Sequence, residues 1–266
     1  MDRMGEFQLP TAFSSSLMPW PTLAPRFDER PASRAMIAYL VLSTDLATEA
    51  DMRRYLHLDG VECYVARMPM AEVATPETLS DLKHGVVAAT EQLAPWATFD
   101  AFGFSCTSGS IAVGTSEVTR LVNSVRPGVP VNNPVDSAIA GLKKLGARDI
   151  AVLTPYLDQV NAIVEAYFAE QGLNIIHAAG FKQNGDPEMN LINPESILEA
   201  GADLAAKGGD ALFISCTGLR TAGIVQRLED EIGKPVVTSN QALAWTCLRS
   251  SGVDDPVPGF GKLMTI

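Results

Sequence analysis

With 266 residues, 47% hydrophobic and 19% charged, the chain has material for one or two packed domains and is neither a disordered tail nor a coiled coil. Its 31 acidic and 20 basic residues give a net charge of −11, with Lys and Arg dispersed rather than gathered in a stripe, so phosphate backbones are repelled and no nucleic-acid partner is expected. The longest apolar run, about Met36 to Leu42, is far short of the roughly 20 residues that cross a bilayer, so no membrane partner is expected either.

Residues 1–35 contain Pro10, Pro19, Pro21, Pro25 and Pro31 and the Ser14–Ser16 run. They lack the basic start, apolar centre and small-residue exit of a secretion signal, and read as an extended arm of a cytoplasmic protein. Beyond them, short β-branched or apolar runs alternate with helical stretches, which argues for an α/β fold with parallel sheets covered by helices. Strands are expected at Ile37–Leu42, Val61–Arg67, Ala101–Ser105, Val129–Asn132, Ile150–Thr154, Leu173–Ala179, Ala211–Ser215 and Pro235–Thr238. The clearest helices are Val160–Glu170 and Pro194–Lys207, rich in Ala and Leu.

The pattern occurs twice. Phe102-Gly-Phe-Ser-Cys106-Thr-Ser-Gly109 has a counterpart in Leu212-Phe-Ile-Ser-Cys216-Thr-Gly218, and Ile37-Ala-Tyr-Leu-Val-Leu-Ser-Thr-Asp45 in Ile150-Ala-Val-Leu-Thr-Pro-Tyr156. A third pair, Gly128-Val-Pro-Val-Asn132 and Lys234-Pro-Val-Val-Thr238, precedes helices that stop at Gly146 and Gly252. The expected architecture is two similar Rossmann-like lobes related by a pseudo-two-fold, each a four-stranded parallel sheet flanked by helices. Residues 36–128 plus 235–266 would form the first lobe and 129–234 the second. Ligands in such folds bind outside the carboxyl ends of the strands, where both Cys-Thr elements fall.

Cys106 and Cys216 each end a strand and open a turn of small polar residues. A helix start there would present free N–H donors, hold an anion and lower the thiol pKa. Thr107, Ser108 and Thr217 could donate hydroxyls to a substrate carboxylate or only cap their own helices. Cys63 and Cys247 lie inside a strand and a helix and read as packing residues. No Cys-x-x-Cys is present and His57, His84 and His177 stand apart, so no metal site is expected. Without a Gly-x-Gly-x-x-Gly or Gly-Lys-Ser/Thr turn, no nucleotide cofactor is expected either.

Two thiols facing across a cleft can remove a proton from one face of a carbon and return one to the other, which is two-base racemisation. Alternatively one thiolate adds to an activated double bond while the other thiol supplies a proton. Both routes need the charge that develops beside a carboxylate to be held by positioned donors, which the Cys-Thr turns including Gly218 could provide.

Ser105-Cys-Thr-Ser-Gly-Ser110, Ser215-Cys-Thr-Gly-Leu-Arg-Thr221 and Leu153-Thr-Pro-Tyr156, in that arrangement along the chain, resemble the cofactor-independent Asp/Glu racemase superfamily. Within it they are similar to maleate cis-trans isomerases, arylmalonate decarboxylases and ectoine-utilisation proteins of the EutA type, over about Met36 to Gly252. The resemblance implies no cofactor, Cys106 as nucleophile, Cys216 as proton donor and Tyr156 against the substrate carboxylate. Arylmalonate decarboxylases would carry only the second cysteine. A homodimer or higher homo-oligomer is expected by analogy.

Two positions depart from the isomerase pattern. Asp45 and Asp186 stand where the resemblance implies carboxylate-binding Asn residues, with Asn184 or Asn190 as alternatives to Asp186. An acid beside a dianion such as maleate repels it, whereas an acid welcomes an ammonium or hydroxyl. The expected substrate is therefore a small amino or hydroxy acid, such as an intermediate of ectoine or hydroxyectoine breakdown. Maleate isomerisation, arylmalonate-type decarboxylation and a non-catalytic carboxylate-binding role are the alternatives. Asp45 could equally cap the helix that carries Glu49 and Asp51, and Asp186 could be a turn residue beside Pro187.

Overall fold

A computed structural model describes residues 20–266. The expected arm falls partly outside that range, and Trp20–Pro31 carry no helix or strand. Residues 32–266 form one compact unit.

The first half of that unit runs β1 (Ala35–Leu42), α1 (Thr48–Tyr55), β2 (Val61–Met68), α2 (Pro76–Ser80), α3 (Lys83–Gln92), β3 (Ala101–Ser105), α4 (Thr107–Val113), α5 (Thr115–Val125), β4 (Val131–Asn132) and α6 (Pro134–Lys144). The second half runs β5 (Asp149–Thr154), α7 (Asp158–Glu170), β6 (Asn174–Gly180), α8 (Asp186–Met189), α9 (Pro194–Ala205), β7 (Ala211–Ile214), α10 (Val225–Ile232), β8 (Val236–Thr238) and α11 (Ser239–Ser250). A 3₁₀ turn at Lys262–Thr265 closes the chain. All eight expected strands are present, displaced by at most two residues at either end.

The strands form two parallel four-stranded sheets, ordered β2-β1-β3-β4 and β6-β5-β7-β8, so the second half repeats the topology of the first. In each, the strand order reverses between the two central strands, β1 and β3 or β5 and β7. Those reversal points are where ligands bind in open α/β sheets.

Strand β1 shows why an apolar run becomes a central strand. Its eight residues are all buried. Met36, Ala38, Leu40 and Leu42 enter a core that extends through both sheets, while Ala35, Ile37, Tyr39 and Val41 enter a second core against α1 and α11. Successive side chains point to opposite faces, so a strand covered on both sides is apolar throughout. Edge strand β6 instead alternates half-buried and exposed residues from Asn174 to His177.

The expected lobe borders assign β4 to the second lobe and β8 to the first, whereas hydrogen bonding joins β4 to β3 and β8 to β7. The helices after these strands account for the difference, because α6 and α11 pack against one another between the sheets. Asn133 caps α6, with Pro134 at its first turn, and a reciprocal Thr238–Gln241 capping box starts α11. Among the described residues, no helix is long and apolar enough to cross a membrane.

Candidate active site

Cys106 comes directly after β3 and is the cap residue of α4. The Gly109 N–H donates to its sulfur at 3.3 Å. A Cβ on Gly109 would stand 2.8 Å from that sulfur and 2.6 Å from Leu82, so only glycine allows the approach. Cys216 lies just beyond β7, but no helix begins after it. The chain runs irregularly through Thr217 to Ile224 before α10 starts at Val225. Cys216 takes a φ of +105°, a conformation that costs a non-glycine residue on the order of 1–3 kcal/mol and persists only where its surroundings impose it. The turn lets the Gly218 N–H reach back to the Cys216 sulfur at 3.3 Å.

Both cysteines line one buried cavity that is closed down to about 10 Å³, room for about one water molecule and far below the roughly 300–1,000 Å³ of open ligand sites. Thr107, Ser108, Tyr156, Asp186 and Thr217 share its wall with the apolar side chains of Leu42, Met70, Leu79 and Met189. A larger surface groove of about 340 Å³ lies between α7 and β6 and contains neither cysteine. Cys247 is buried in α11 and Cys63 half-buried on β2; burial pushes both thiols up to about 12.

The two Cys-Thr turns are tied across the halves. Thr107 donates its hydroxyl to Ser239 Oγ at 2.8 Å, and the Cys216 N–H donates to that same oxygen at 3.0 Å. Reciprocally, Thr217 donates its hydroxyl to the Ser105 carbonyl at 3.2 Å. Both threonine hydrogens are thus committed within the protein, which leaves their oxygens to accept rather than donate toward a ligand. Tyr156 accepts from Ser215 Oγ at 3.3 Å. Burial and the neighbouring Cys216 sulfur hold its phenol protonated, so it is a donor in the cavity.

The expected lowering of the thiol pKa is overturned. Burial pushes Cys106 up to about 12, with the Asp186 carboxylate next in importance, against the opposing Gly109 amide and Ser108 hydroxyl. Burial and Asp186 also raise Cys216, outweighing the Gly218 amide. The donors are in place, but a closed cavity beside acids favours the neutral thiol more strongly.

Asp186 faces the cavity from α8, and its carboxylate accepts from the Thr44 hydroxyl in the loop after β1. Burial raises it while the Thr44 bond partly offsets that. Asn190 strengthens the same closure by donating to the Thr44 carbonyl at 3.0 Å and accepting the Leu46 N–H at 3.0 Å. A Cβ on Gly185, at the head of α8, would stand 1.8 Å from the Glu72 carbonyl, so the segments before α8 and before α2 are in direct backbone contact there.

Asp45 is turned elsewhere. Its carboxylate accepts the Ala47 and Thr48 N–H groups at 2.7 and 2.8 Å and the Thr48 hydroxyl at 2.6 Å, so it caps the first turn of α1. It is 2% exposed, is not among the cavity's lining residues, and burial pushes it up to about 6. Sequence reasoning missed Ser239 and Thr44 as parts of the site's framework, and named Asn190 only as an alternative to Asp186 for contacting the substrate. Ser239 stands immediately after the third repeat pair, which is the one signal that pointed to it.

The arylmalonate decarboxylase family model matches residues 57–264. A maleate isomerase of Alcaligenes faecalis is 27% identical over 150 residues, 55% of this chain and 59% of that protein. An arylmalonate decarboxylase of Bordetella bronchiseptica is 30% identical over 139 residues, 51% of this chain and 58% of that one. The chain thus spans less than two thirds of the length of these two relatives. Among solved structures, a maleate isomerase of Pseudomonas putida S16 has a TM-score of 0.81 at 20% identity, covering 87% of this chain and 98% of that one. A mutant Nocardia farcinica maleate cis-trans isomerase with a covalently bound succinylcysteine intermediate has a TM-score of 0.78 at 23% identity, over 87% and 98% of the two chains. At these identities the likeness is one of fold.

Proposed function

From the premise that this chain belongs to the arylmalonate decarboxylase family, we propose that it is a cofactor-independent racemase or isomerase that uses Cys106 and Cys216 on a small carboxylate. The observation that carries this reading is that both sulfurs line one cavity, supplied from beyond the ends of the equivalent strands β3 and β7 of the two halves. One sulfur, as thiolate, takes the proton from the carbon beside the carboxylate. The other, as thiol, gives a proton to the opposite face, and the two exchange roles in the product complex. The Gly109 and Gly218 amides favour whichever sulfur carries the charge, and Tyr156 is the protonated donor for the substrate carboxylate. Asp186 supports an amino or hydroxy acid, because its carboxylate accepts from an ammonium or a hydroxyl.

The relatives that are named maleate isomerases favour a second reading, cis-trans isomerisation of maleate with Cys106 as nucleophile. This reading requires Asp186 to be protonated, the state in which it donates a hydrogen bond as Asn does, and burial shifts its titration in that direction.

Incubation in deuterated buffer with aspartate, glutamate, malate and maleate, read by proton NMR, separates the two. Deuterium at the carbon beside the carboxylate of an amino or hydroxy acid supports the first. Fumarate from maleate, with a mass adduct on Cys106, supports the second. Absence of exchange and isomerisation with all four acids would overturn the proposal.

A further inference from the structure

The segment after Cys216 has no helix of its own, yet it holds a cysteine at an unfavourable φ. A buried cluster on the far side of that segment supplies the constraint. Asp51, on α1, is 4% exposed, and its carboxylate accepts the Thr221 N–H at 3.2 Å, the Ala222 N–H at 3.4 Å and the Thr221 hydroxyl at 3.4 Å. The same carboxylate accepts Asn240 Nδ2 at 3.2 Å. Asn240, fully buried at the start of α11, also donates to the Thr217 carbonyl at 2.9 Å and accepts from Thr48 at 3.4 Å. The loop is gripped at both ends, Thr217 through Asn240 and Thr221–Ala222 through the Asp51 carboxylate. Asp51 is 165 residues from Cys216 in sequence and is not among the cavity's lining residues.

We propose that Asp51 is a positioning residue for Cys216: with Asn240 as its relay, it clasps residues 217–222 and so holds the Cys216 sulfur aimed into the cavity. The first half has no need of such a clasp, because α4 begins at Thr107 and the Ser110 N–H and hydroxyl, donating to the Cys106 carbonyl at 2.9 and 2.6 Å, fix the Cys106 turn. The clasp is the second half's substitute for that missing helix. An anion suits the task because each bond it accepts is charge-assisted, and its donors come from separate segments of the chain, the loop after β7 and the start of α11. This inference rests on the reading of Cys216 as a reactive thiol.

The test compares the full-length protein with Asp51→Asn and Asn240→Ala. N-Ethylmaleimide labelling of Cys216 relative to Cys106 is quantified by peptide mass spectrometry, beside a thermal melt. Each substitution is expected to raise the Cys216-to-Cys106 labelling ratio by about tenfold, the scale of one lost bond to a charged group. With a turned-over substrate, kcat falls while KM stays within about twofold, as for a group that acts on the reacting centre rather than on binding. An unchanged labelling ratio in both variants, with cooperative melting retained, would overturn the clasp. If Asp51→Asn does not fold, Thr221→Val removes one of the same contacts and is read in the same way. Labelling needs no turnover, so a shifted ratio in a protein without measurable activity would count against the proposed chemistry and not against the clasp.

Discussion

Thr107 and Cys216 share one acceptor: the Thr107 hydroxyl and the Cys216 backbone N–H both point at Ser239 Oγ, at 2.8 and 3.0 Å. Through this single atom the turn after one candidate catalytic cysteine is fixed to the backbone of the other. Ser239→Ala leaves two buried donors without a partner, at a cost of roughly 1–3 kcal/mol each. The expected outcome is a lower urea midpoint at unchanged m-value, together with a fall in kcat larger than any change in KM.

Gly185 lies where the segment entering α8 touches the one before α2, and a Cβ there would stand 1.8 Å from a carbonyl oxygen. Gly185→Ala therefore pushes the Asp186–Asn190 segment off its contacts with Thr44 and Leu46. KM is expected to rise severalfold, with a loss of stability on the order of 1–3 kcal/mol, the usual cost of overpacking. Steady-state kinetics and a denaturant titration measure the two effects.

Asp45 and Asp51 are buried carboxyls that titrate at about 6 instead of the ordinary 3.8. Between those values the native protein holds protons that the unfolded chain has released, so stability falls as pH rises through the window. Each group contributes up to ~3 kcal/mol to that fall. In Asp45→Asn the drop in urea midpoint between pH 4 and pH 7 should be visibly smaller than in the unmodified protein; an identical drop would refute the assignment.

The strands and the cysteine pair were legible for a common reason. Strands covered on both faces are apolar throughout, as β1 is, and duplication displayed the Cys-Thr turn twice. The path of the chain beyond Cys216 was not legible, because Thr217-Gly218 reads like the helix start at Thr107-Ser108 although the backbone there is irregular. The supports of that turn, Asp51 and Asn240, are drawn from α1 and α11, and neither residue lies beside Cys216 in sequence. The direction of the thiol shifts was misread because donors near a sulfur can be seen in sequence, whereas the degree of burial that outweighs them cannot. Asp45 could be read as a cap or as a ligand contact, and only the rotation of its carboxylate toward Ala47 and Thr48 decides for the cap.

Asp186 distinguishes the two candidate substrate classes through the sign of a pH dependence. As an anion it accepts from an ammonium or hydroxyl, so such a substrate binds better as pH rises through the Asp186 titration. Maleate, which has two carboxylates and no ammonium or hydroxyl to donate, needs the neutral acid and binds worse across the same interval. Asp186→Asn should abolish either trend and improve maleate binding over aspartate binding by at least about tenfold, the scale set by removing one like charge at short range. KM measured against pH for both ligands checks this.

The central claim is that both sulfurs act on one carbon, and the single replacements Cys106→Ser and Cys216→Ser test it most directly. With whichever acid the unmodified protein turns over, each variant is expected to lose at least about 10²-fold in kcat/KM while keeping a native melt, because a serine hydroxyl is a far weaker acid than a thiol and neither thiol can stand in for the other across the cavity. If either variant retained turnover within about fivefold of the unmodified protein, the paired-cysteine account would be contradicted.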